Sequence, residues 1–341
     1  MDSNHMKRLL SLALAFGFVG SLVAADAFKR PPGPPKPAAY EDPAKTDADF
    51  PWMGEYAGKM RDADFAIQVL ALGQSRFDTV LCPGGLPGAG WTKQPNPRQR
   101  MGGRREGEGA QAFMRFSGNG WNGTLKDGVV ELKDFKGTTI GRLNRTERKS
   151  DTLGAKPPEG AVVLFDGTSL KAFKEGAQMT PEGLLVQGVT TVEEFGDCSL
   201  HIEFRLPYMP DARGQARGNS GIYLAGRYEV QMLDSFGLNG ENNECGGLYT
   251  VARPQINMCL PPLSWQTFDI DFQAARFDEK GDKVADAELT VKHNGVLVHD
   301  SVKVPSPTRS APLPKEGPQG PIHLQDHGTP VRYRNIWVVK K

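Results

Sequence analysis

"GNSGIYLAGRYEVQMLDSFG", residues 218–237, reads as two short strands joined by a tight Ala-Gly turn. Successive residues of a strand point to opposite faces, so Glu229 and Gln231 share one face while the apolar residues between them take the other. Asp234 follows just after the second strand. A plain sheet protein would place Thr or Ser at these positions. The stretch therefore predicts an antiparallel β fold with one chemically functional polar face.

The chain around this ribbon continues the same pattern. Residues 158–341 contain ten strand-length apolar runs separated by turn residues, and no convincing amphipathic helix. "LTVKHNGVLVHD" is a hairpin with Asn294-Gly295 at its turn, a strong local signal. We therefore expect an all-β fold in which residues 158–341 form a β-sandwich or jelly roll.

A second β domain is predicted before it, over residues 50–150. Short apolar runs such as "FAIQVLAL", "FDTVL" and "GVVELKDF" alternate with Gly and Asn, which is typical of a small antiparallel β domain. Between two runs lies a long Gly, Pro and Arg-rich stretch, residues 82–109, predicted as a loop that is either functional or disordered. Its "RQRMGGRRE" segment is interpreted as a mobile basic loop, because nucleotide phosphate binding would require a strand-Gly-helix context. The role of this domain is left open.

The first 49 residues are predicted to lie outside the folded domains. An apolar run that ends in small residues follows Lys7 and Arg8, so residues 1–27 read as a signal peptide and the mature protein as exported, periplasmic or extracellular. Residues 28–49 form a proline-rich linker. Every other apolar run is too short for a membrane span.

Charge and cysteine content limit the partners. Lys and Arg total 41 against 40 for Asp and Glu, a balance that argues against nucleic acid as a ligand. Of the four cysteines, Cys245 and Cys259 are favoured as a disulfide in an oxidising compartment, while the spacing offers no zinc motif. The oligomeric state is not determined by the sequence.

Polar residues alternate with apolar ones on several further strands. "SLHIEFRL" carries Arg205 on the face of His201 and Glu203, and "PIHLQDHG" carries His323 and Gln325 on one face. One interpretation is a solvated outer sheet. The other is a carbohydrate cleft, because carboxylates, amides, imidazoles and neighbouring aromatic rings hydrogen-bond and stack on sugars. His201 is interpreted as a cross-strand partner.

"VVLFDGTSL", "GNSGIYLAGRYEVQMLDSFG", "WQTFDIDF", "LTVKHNGVLVHD" and "GPIHLQDHGTPVRYRNIWV" occur in this order and resemble the 3-keto-disaccharide hydrolase family of exported bacterial proteins. The resemblance covers about residues 160–341. It implies a concanavalin A-like jelly roll of two curved antiparallel sheets with a sugar cleft on the concave one. The region before residue 150 is outside the family pattern, and residues 237–262 match it only loosely.

The resemblance also implies a reaction: a ketone at C3 acidifies the C2 hydrogen, so that a base removes it, the C1 substituent leaves and water adds afterwards. We expect Glu229 or His327 as the base and Asp234 as the acid. Further sugar contacts are expected from seven residues: Arg205, Asn219, Tyr223, Gln231, Trp265, His323 and Gln325. A divalent metal ion held by Glu229, Asp234 or His323 is compatible with this chemistry.

Two other functions fit the same residues. The leading alternative is a non-catalytic carbohydrate-binding module of the cell envelope, because similarity of fold supports sugar binding more strongly than it supports catalysis. The third is a structural or adhesion protein that uses the basic loop of the N-terminal domain as its contact surface.

Overall fold

The structure, a computed structural model, describes residues 37–91, 99–118 and 120–341. The predicted signal peptide and part of the predicted linker and basic loop lie outside these residues. Ten strands occupy the first half: β1 (Gly54–Met60), β2 (Ala63–Ala71), β3 (Arg76–Pro83), β4 (Leu86–Pro87), β5 (Gly90–Trp91), β6 (Arg100–Glu106), β7 (Phe113–Gly118), β8 (Trp121–Lys126), β9 (Val129–Asp134) and β10 (Thr139–Thr146). Short 3-10 helices span Pro43–Lys45, Phe50–Trp52 and Gly109–Gln111.

Eight of these strands close into an antiparallel barrel in the order β1-β10-β9-β8-β7-β6-β3-β2. Closure pairs every barrel strand on both sides and leaves no exposed edge. Alternate residues fill the interior, and Gly123 leaves space there for the ring of Phe116, which would lie 2.3 Å from an added Cβ.

The basic segment of this domain differs from its prediction as a mobile loop. Residues Arg100–Glu106 form strand β6, which pairs with β3 and β7. The glycines at 102 and 103 suggested a loop, but pairing on both sides supplies the order that their composition does not. That prediction was wrong for the described part of the segment.

The second half forms thirteen strands: β11 (Val162–Phe165), β12 (Leu185–Val186), β13 (Val189–Phe195), β14 (Cys198–Arg205), β15 (Asn219–Leu224), β16 (Tyr228–Leu233), β17 (Trp265–Gln273), β18 (Arg276–Phe277), β19 (Lys283–Ala285), β20 (Ala287–His293), β21 (Val296–Val304), β22 (Gly320–Leu324) and β23 (Arg332–Lys340). A 3-10 helix spans Gly214–Ala216.

Two antiparallel sheets build a jelly-roll sandwich, as the sequence predicted. The large sheet runs β11-β23-β14-β17-β20-β21, with β12 also paired to β23, and the small sheet runs β13-β22-β15-β16. Apolar residues of both sheets, among them Phe204, Phe268, Ile222 and Val230, fill the core between them. Each sheet therefore turns its alternate, polar residues away from the core.

Residues 37–341 form one compact unit, in which barrel and jelly roll contact each other directly. Tyr40, within the stretch predicted as a linker, pairs its backbone with Tyr208 of the jelly roll. Asp47 accepts a hydrogen bond of 2.9 Å from the Tyr208 hydroxyl, and Asp49 bonds Arg105 of the barrel at 3.1 Å. The end of this stretch is thus part of the contact between the two domains.

Two local predictions were wrong. "GGLYTV", residues 246–251, is not a strand but a looped segment whose Gly246 and Gly247 bond the backbone of Gln231 on the edge of the small sheet. The predicted disulfide between Cys245 and Cys259 is not formed: the two side chains are in contact, but both are free, buried thiols. None of the helices within the described residues has the length and apolarity needed to cross a bilayer.

Candidate active site

Glu229 lies on the outer face of the small sheet, on strand β16. Its backbone pairs with that of Tyr223 on β15, and Gly221 stands opposite the neighbouring Gln231. An added Cβ at Gly221 would lie 2.0 Å from Oε1 of Glu229. A glycine inside a strand often marks such a close approach, and here it clears the space that the carboxyl group occupies.

Within the described residues, no cationic side chain bonds the Glu229 carboxyl group. The Tyr223 hydroxyl donates a hydrogen bond of 2.7 Å to Oε2, and the glutamate is 2% exposed. Burial raises the pKa of Glu229 to about 7, with the Tyr223 hydrogen bond opposing the shift. Burial and the adjacent carboxyl group raise the pKa of Tyr223, so it stays a donor. Glu229 is therefore poised to accept or release a proton near neutral pH.

Side-chain amides surround this carboxyl group. With its amide nitrogen directed at acceptors, Gln231 donates to Glu229 Oε1 at 2.9 Å. Gln325 Nε2 lies 3.3 Å from the Tyr223 hydroxyl, and Asn219 Nδ2 donates to the backbone carbonyl of Gln215 at 2.8 Å. Such fixed planar amides suit the hydroxyl groups of a sugar.

These residues line one small pocket of about 50 Å³. Its wall is completed by Tyr249, Ser310 and the exposed side chain of His327. Because a cavity of this kind needs roughly 10–15 Å³ to hold one water molecule, the pocket has room for a few water molecules or for one polar edge of a ligand.

His323 lies beside the pocket without lining it. Its ring centroid is 5.8 Å from that of Tyr223, and Nδ1 lies 2.8 Å from the Thr190 hydroxyl. Burial lowers the pKa of His323, although a backbone hydrogen bond opposes the shift. The ring is thus neutral at pH 7 and supports Tyr223 from behind.

Asp234 lies apart from Glu229. It is 4% exposed and forms a 2.6 Å ion pair with Arg217, which also donates to the backbone carbonyl of Ala71 in the barrel. Asp234 does not line the pocket. Because Asp234 is bonded to Arg217 and lies outside the pocket, this geometry does not support the acid role predicted for it.

Arg205 and Trp265 belong to the other sheet. Arg205 of β14 is paired with Trp265 of β17, and Cζ of the arginine lies 5.1 Å from the centroid of the Trp265 ring. Arg334 covers the Trp265 ring at 4.0 Å. Trp265 lines a separate cavity of about 570 Å³ with residues of the barrel. The prediction that these two residues join Glu229 in one sugar site was wrong, because their strands belong to the opposite layer.

The outer face of the large sheet carries a second buried polar cluster. His201 bonds Asp269 across the strands at 2.6 Å and stacks on Trp337 at 5.0 Å, which confirms the cross-strand interpretation of His201. Glu203 accepts hydrogen bonds from Arg334 at 2.7 Å and Asn335 at 2.9 Å. Every acidic group of this cluster has a donor, which is typical of a structural network.

The residues predicted to hold a divalent ion do not form a common ligand set. Asp234 is bonded to Arg217, and Nδ1 of His323 to Thr190. Across the part of the chain that the structure describes, no three His, Cys, Asp or Glu side chains lie close enough together to bind a metal ion.

Sequence reasoning missed Gln215, Tyr249 and Ser310. All three lie on connections between strands, where period-2 alternation gives no information. The one available signal was position, because the connections that carry Gln215 and Tyr249 adjoin the polar ribbon of residues 218–237, and no such signal marked Ser310.

One family model and several solved structures are similar to this chain. The family model described as "3-keto-alpha-glucoside-1,2-lyase-like domain" matches residues 160–339, more than half of the chain. Three crystal structures of proteins from Parabacteroides distasonis ATCC 8503, provisionally named glycosyl hydrolases, are also similar. One has 32% sequence identity and a TM-score of 0.49, with 54% of this chain and 85% of that chain covered. The others have 16% and 21% identity, TM-scores of 0.41 and 0.38, and coverage of 54% and 53% of this chain and of 95% and 99% of theirs.

No curated protein sequence gives a significant match. The family match coincides with the jelly roll and leaves the barrel outside it.

Proposed function

Because the chain belongs to the 3-keto-alpha-glucoside-1,2-lyase-like family, we propose that its jelly roll cleaves 3-keto-glycosides, 3-keto-disaccharides among them, between C1 and the glycosidic oxygen. One observation carries the proposal. Glu229 is a buried carboxyl group that no described cationic side chain bonds, its pKa is raised to about 7, and it lies in a pocket lined by amides. This is the environment that a general base at neutral pH requires.

The proposed reaction is an elimination followed by hydration. The base removes the C2 proton, and the electron pair of that bond forms the C1–C2 double bond while the bond from C1 to the glycosidic oxygen breaks. The departing oxygen takes a proton and leaves as the free alcohol. Water then adds at C1 and C2 regains a proton, so the net change is hydrolysis. The C3 ketone stabilises the charge in the first step as an enolate.

Glu229 is the proposed base and His327 the proposed acid. Glu229 is held by Tyr223 at 2.7 Å and cleared by Gly221, so its geometry is fixed before substrate binds. His327 lies on the exposed wall of the same pocket, where a leaving group would reach solvent. It therefore takes the role that the sequence suggested for Asp234.

Sugar recognition is assigned to the amide-bearing residues and the phenol around the base. The proposed contacts are Gln215, Asn219, Gln231, Tyr249 and Gln325. Tyr223 bonds the carboxyl group of the base, and the ring of His323 lies against the ring of Tyr223. Because amides donate and accept without charge, they bind hydroxyl groups and the keto oxygen while leaving the pKa of Glu229 high.

We also propose that the enzyme acts outside the cytoplasm. The support is the apolar run within residues 1–27, which ends in small residues suited to a signal peptidase. Fractionation of expressing cells, with mass determination of the mature N-terminus, tests this proposal. A full-length N-terminus in the cytoplasmic fraction would contradict it.

The reaction is tested by incubating the mature protein in D₂O with 3-keto-trehalose, 3-keto-lactose and their unoxidised parents. Elimination and hydration predict cleavage of the keto sugars alone and one deuterium at C2 of the released 3-keto sugar. A control incubation of the free 3-keto sugar without enzyme measures spontaneous exchange. Cleavage without deuterium at C2 would exclude the elimination mechanism.

The binding-module alternative is tested with the same substrates and Glu229→Gln. An enzyme of the proposed kind retains affinity for the 3-keto-disaccharide in calorimetry and loses turnover. If the wild-type protein binds these sugars and cleaves none, it is a carbohydrate-binding module.

A further inference from the structure

The barrel contacts the connection that carries Gln215 into the site. This contact lies at the turn between β2 and β3, where two backbone carbonyls face the jelly roll. Arg213 donates to the carbonyl of Leu72 at 2.7 Å, and Arg217 donates to that of Ala71 at 3.2 Å. The two arginines flank Gln215 on either side, so both ends of its segment are bonded to the barrel.

The segment has few internal bonds of its own. Gly214–Ala216 is a single 3-10 turn, closed by backbone hydrogen bonds of 3.2 Å from Ala216 and 3.0 Å from Arg217. Such short 3-10 turns have poor hydrogen-bond geometry and depend on their surroundings. The conformation of this turn is therefore set largely by what holds its two ends.

Gln215 reaches from this turn into the proposed sugar site. Its Oε1 accepts a hydrogen bond of 3.1 Å from Asn219 Nδ2 and lies 3.1 Å from the side-chain amide group of Gln231. Its Nε2 donates to the carbonyl of Asn243 at 2.8 Å. A shift of the turn would therefore move the amide network above Glu229.

Close packing reinforces the same contact. Gly73, at the tip of the β2–β3 turn, has φ +78, and an added Cβ there would lie 2.2 Å from the carboxylate of Asp211. Arg100 of β6 donates to the carbonyl of Gly237 at 2.6 Å, and Leu70 packs against that glycine. The barrel thus touches the segments before β15 and after β16, the two strands that carry the site.

We propose that the barrel is a positioning domain, whose β2–β3 turn sets the place of Gln215 and thereby the affinity for the sugar. The inference rests on the proposed function for its kinetic consequence. Gln215 contacts substrate, whereas Arg213 and the turn act through it.

The test moves the turn and compares two matched glycines of the barrel. Gly73→Val adds a branched side chain against Asp211. Gly137→Val is the control, because Gly137 has a nearly equal φ of +81 and an added Cβ there meets nothing within 4 Å. Both variants carry the same backbone strain, so their difference reports the contact with the jelly roll.

Hydrogen exchange of residues 210–219, measured by mass spectrometry without substrate, is the first readout. We expect faster exchange in Gly73→Val and in Arg213→Ala, wild-type exchange in Gly137→Val, and slower exchange again in Arg213→Lys, whose ammonium group can still donate to Leu72. Equal exchange in Gly73→Val and Gly137→Val would overturn the inference.

Kinetics on the 3-keto-disaccharide are the second readout. We expect KM to rise roughly five- to tenfold in Gly73→Val, as expected from one lost hydrogen bond, with kcat within twofold of wild type. Gly73→Val should add nothing in a Gln215→Ala background, because both changes remove the same contact. A fall in kcat at constant KM, or additive effects, would contradict the positioning role. Absence of turnover in the wild type would refute the proposed function, while the exchange result would still decide the structural coupling.

Discussion

Glu203 and Glu229 occupy corresponding positions on the outer faces of the two sheets, and both are nearly inaccessible to solvent. Burial alone would raise the pKa of Glu203, but hydrogen bonds from Asn335 and Arg334, together with the His201 ring 3.8 Å away, hold it at about 2. The hydrogen bonds that Glu229 receives from described side chains come from neutral groups, Tyr223 and Gln231, and burial raises its pKa to about 7. Two carboxyl groups of similar surface exposure thus form a structural anion in one sheet and a proton-transfer group in the other, because their partners and their depth of burial differ.

The difference arises from the partners and not from the strands. Both glutamates alternate with apolar residues in a nearly identical pattern, "HIEFR" and "YEVQM". On the large sheet Arg334 of β23 donates to the Glu203 carboxylate. On the small sheet Gly221 of β15 leaves room for the Glu229 carboxyl group, and no described cationic side chain bonds it. The partner of Glu203 lies 131 residues away in sequence, whereas Gly221 and Tyr223 belong to the same hairpin as Glu229.

The largest expected effect separates the two glutamates in catalysis. Glu229→Gln should lower kcat by about 10²- to 10⁴-fold, because it removes the proposed base while keeping the shape of the side chain. Glu203→Gln should leave kcat within a fewfold of wild type. Steady-state kinetics on a 3-keto-disaccharide measure both, and equal losses in the two variants would refute the comparison.

Stability should change in opposite directions. The low pKa of Glu203 contributes stability that is present above about pH 4.5 and lost as pH falls through about 2, so Glu203→Gln should lower the free energy of unfolding at pH 7 by about 3 kcal/mol. The raised pKa of Glu229 gives stability that is present below about 4.5 and lost as pH rises through about 7. Glu229→Gln should therefore stabilise the protein by about 3 kcal/mol at pH 8 and by almost nothing at pH 4.

Urea unfolding at pH 4, 7 and 8 measures these changes. Destabilisation by both substitutions at pH 8 would show that Glu229 has an ionic partner, and the proposed environment of the base would be wrong.

Gly221→Ala tests whether activity requires the space beside the Glu229 carboxyl group. The new Cβ would lie 2.0 Å from Oε1, so the carboxyl group must move and kcat/KM should fall roughly 10- to 100-fold. Gly123→Ala in the barrel is the matched control, because its Cβ would collide with Phe116 inside another strand. The control should lose stability but little activity per folded molecule. Similar activity losses in both would show a general strand effect.

The pH dependence of kcat/KM gives a further test of Glu229 as the base. If Glu229 acts as the base, kcat/KM should rise about tenfold per pH unit on the acidic side of a midpoint near pH 7, since only the carboxylate accepts the proton. His323→Gln should leave the midpoint of the profile in place, because burial keeps that histidine neutral. A profile that is flat from pH 5 to 8 would contradict the assignment of Glu229.

Much of this arrangement could be predicted from sequence. Alternation with a period of two gave the shared face of Glu229 and Gln231, and the ordered motifs gave the jelly roll. Alternation defines faces within a strand but not which sheet the strand joins. Arg205 and Trp265 were therefore predicted for the same site although they lie in the opposite layer.

Other failures have equally specific causes. Asp234 looked like a partner for Glu229 because it follows the same strand, but the chain leaves the sheet after Leu233 and the carboxylate turns to Arg217. Arg217 lies before the polar ribbon and its barrel partner lies in another domain, so no local pattern indicated the pair. Gln215 was missed because it lies on the connection between β14 and β15, where alternation gives no information.

The most direct measurement is the pKa of the two glutamates, by carbon-13 NMR of protein labelled at the glutamate carboxyl carbons. Glu229→Gln and Glu203→Gln assign the two resonances by their disappearance. We predict that the Glu229 resonance titrates near pH 7 and that the Glu203 resonance stays ionised to below pH 3. If both glutamates titrate below pH 5, Glu229 is an ordinary buried anion and its role as the base is refuted.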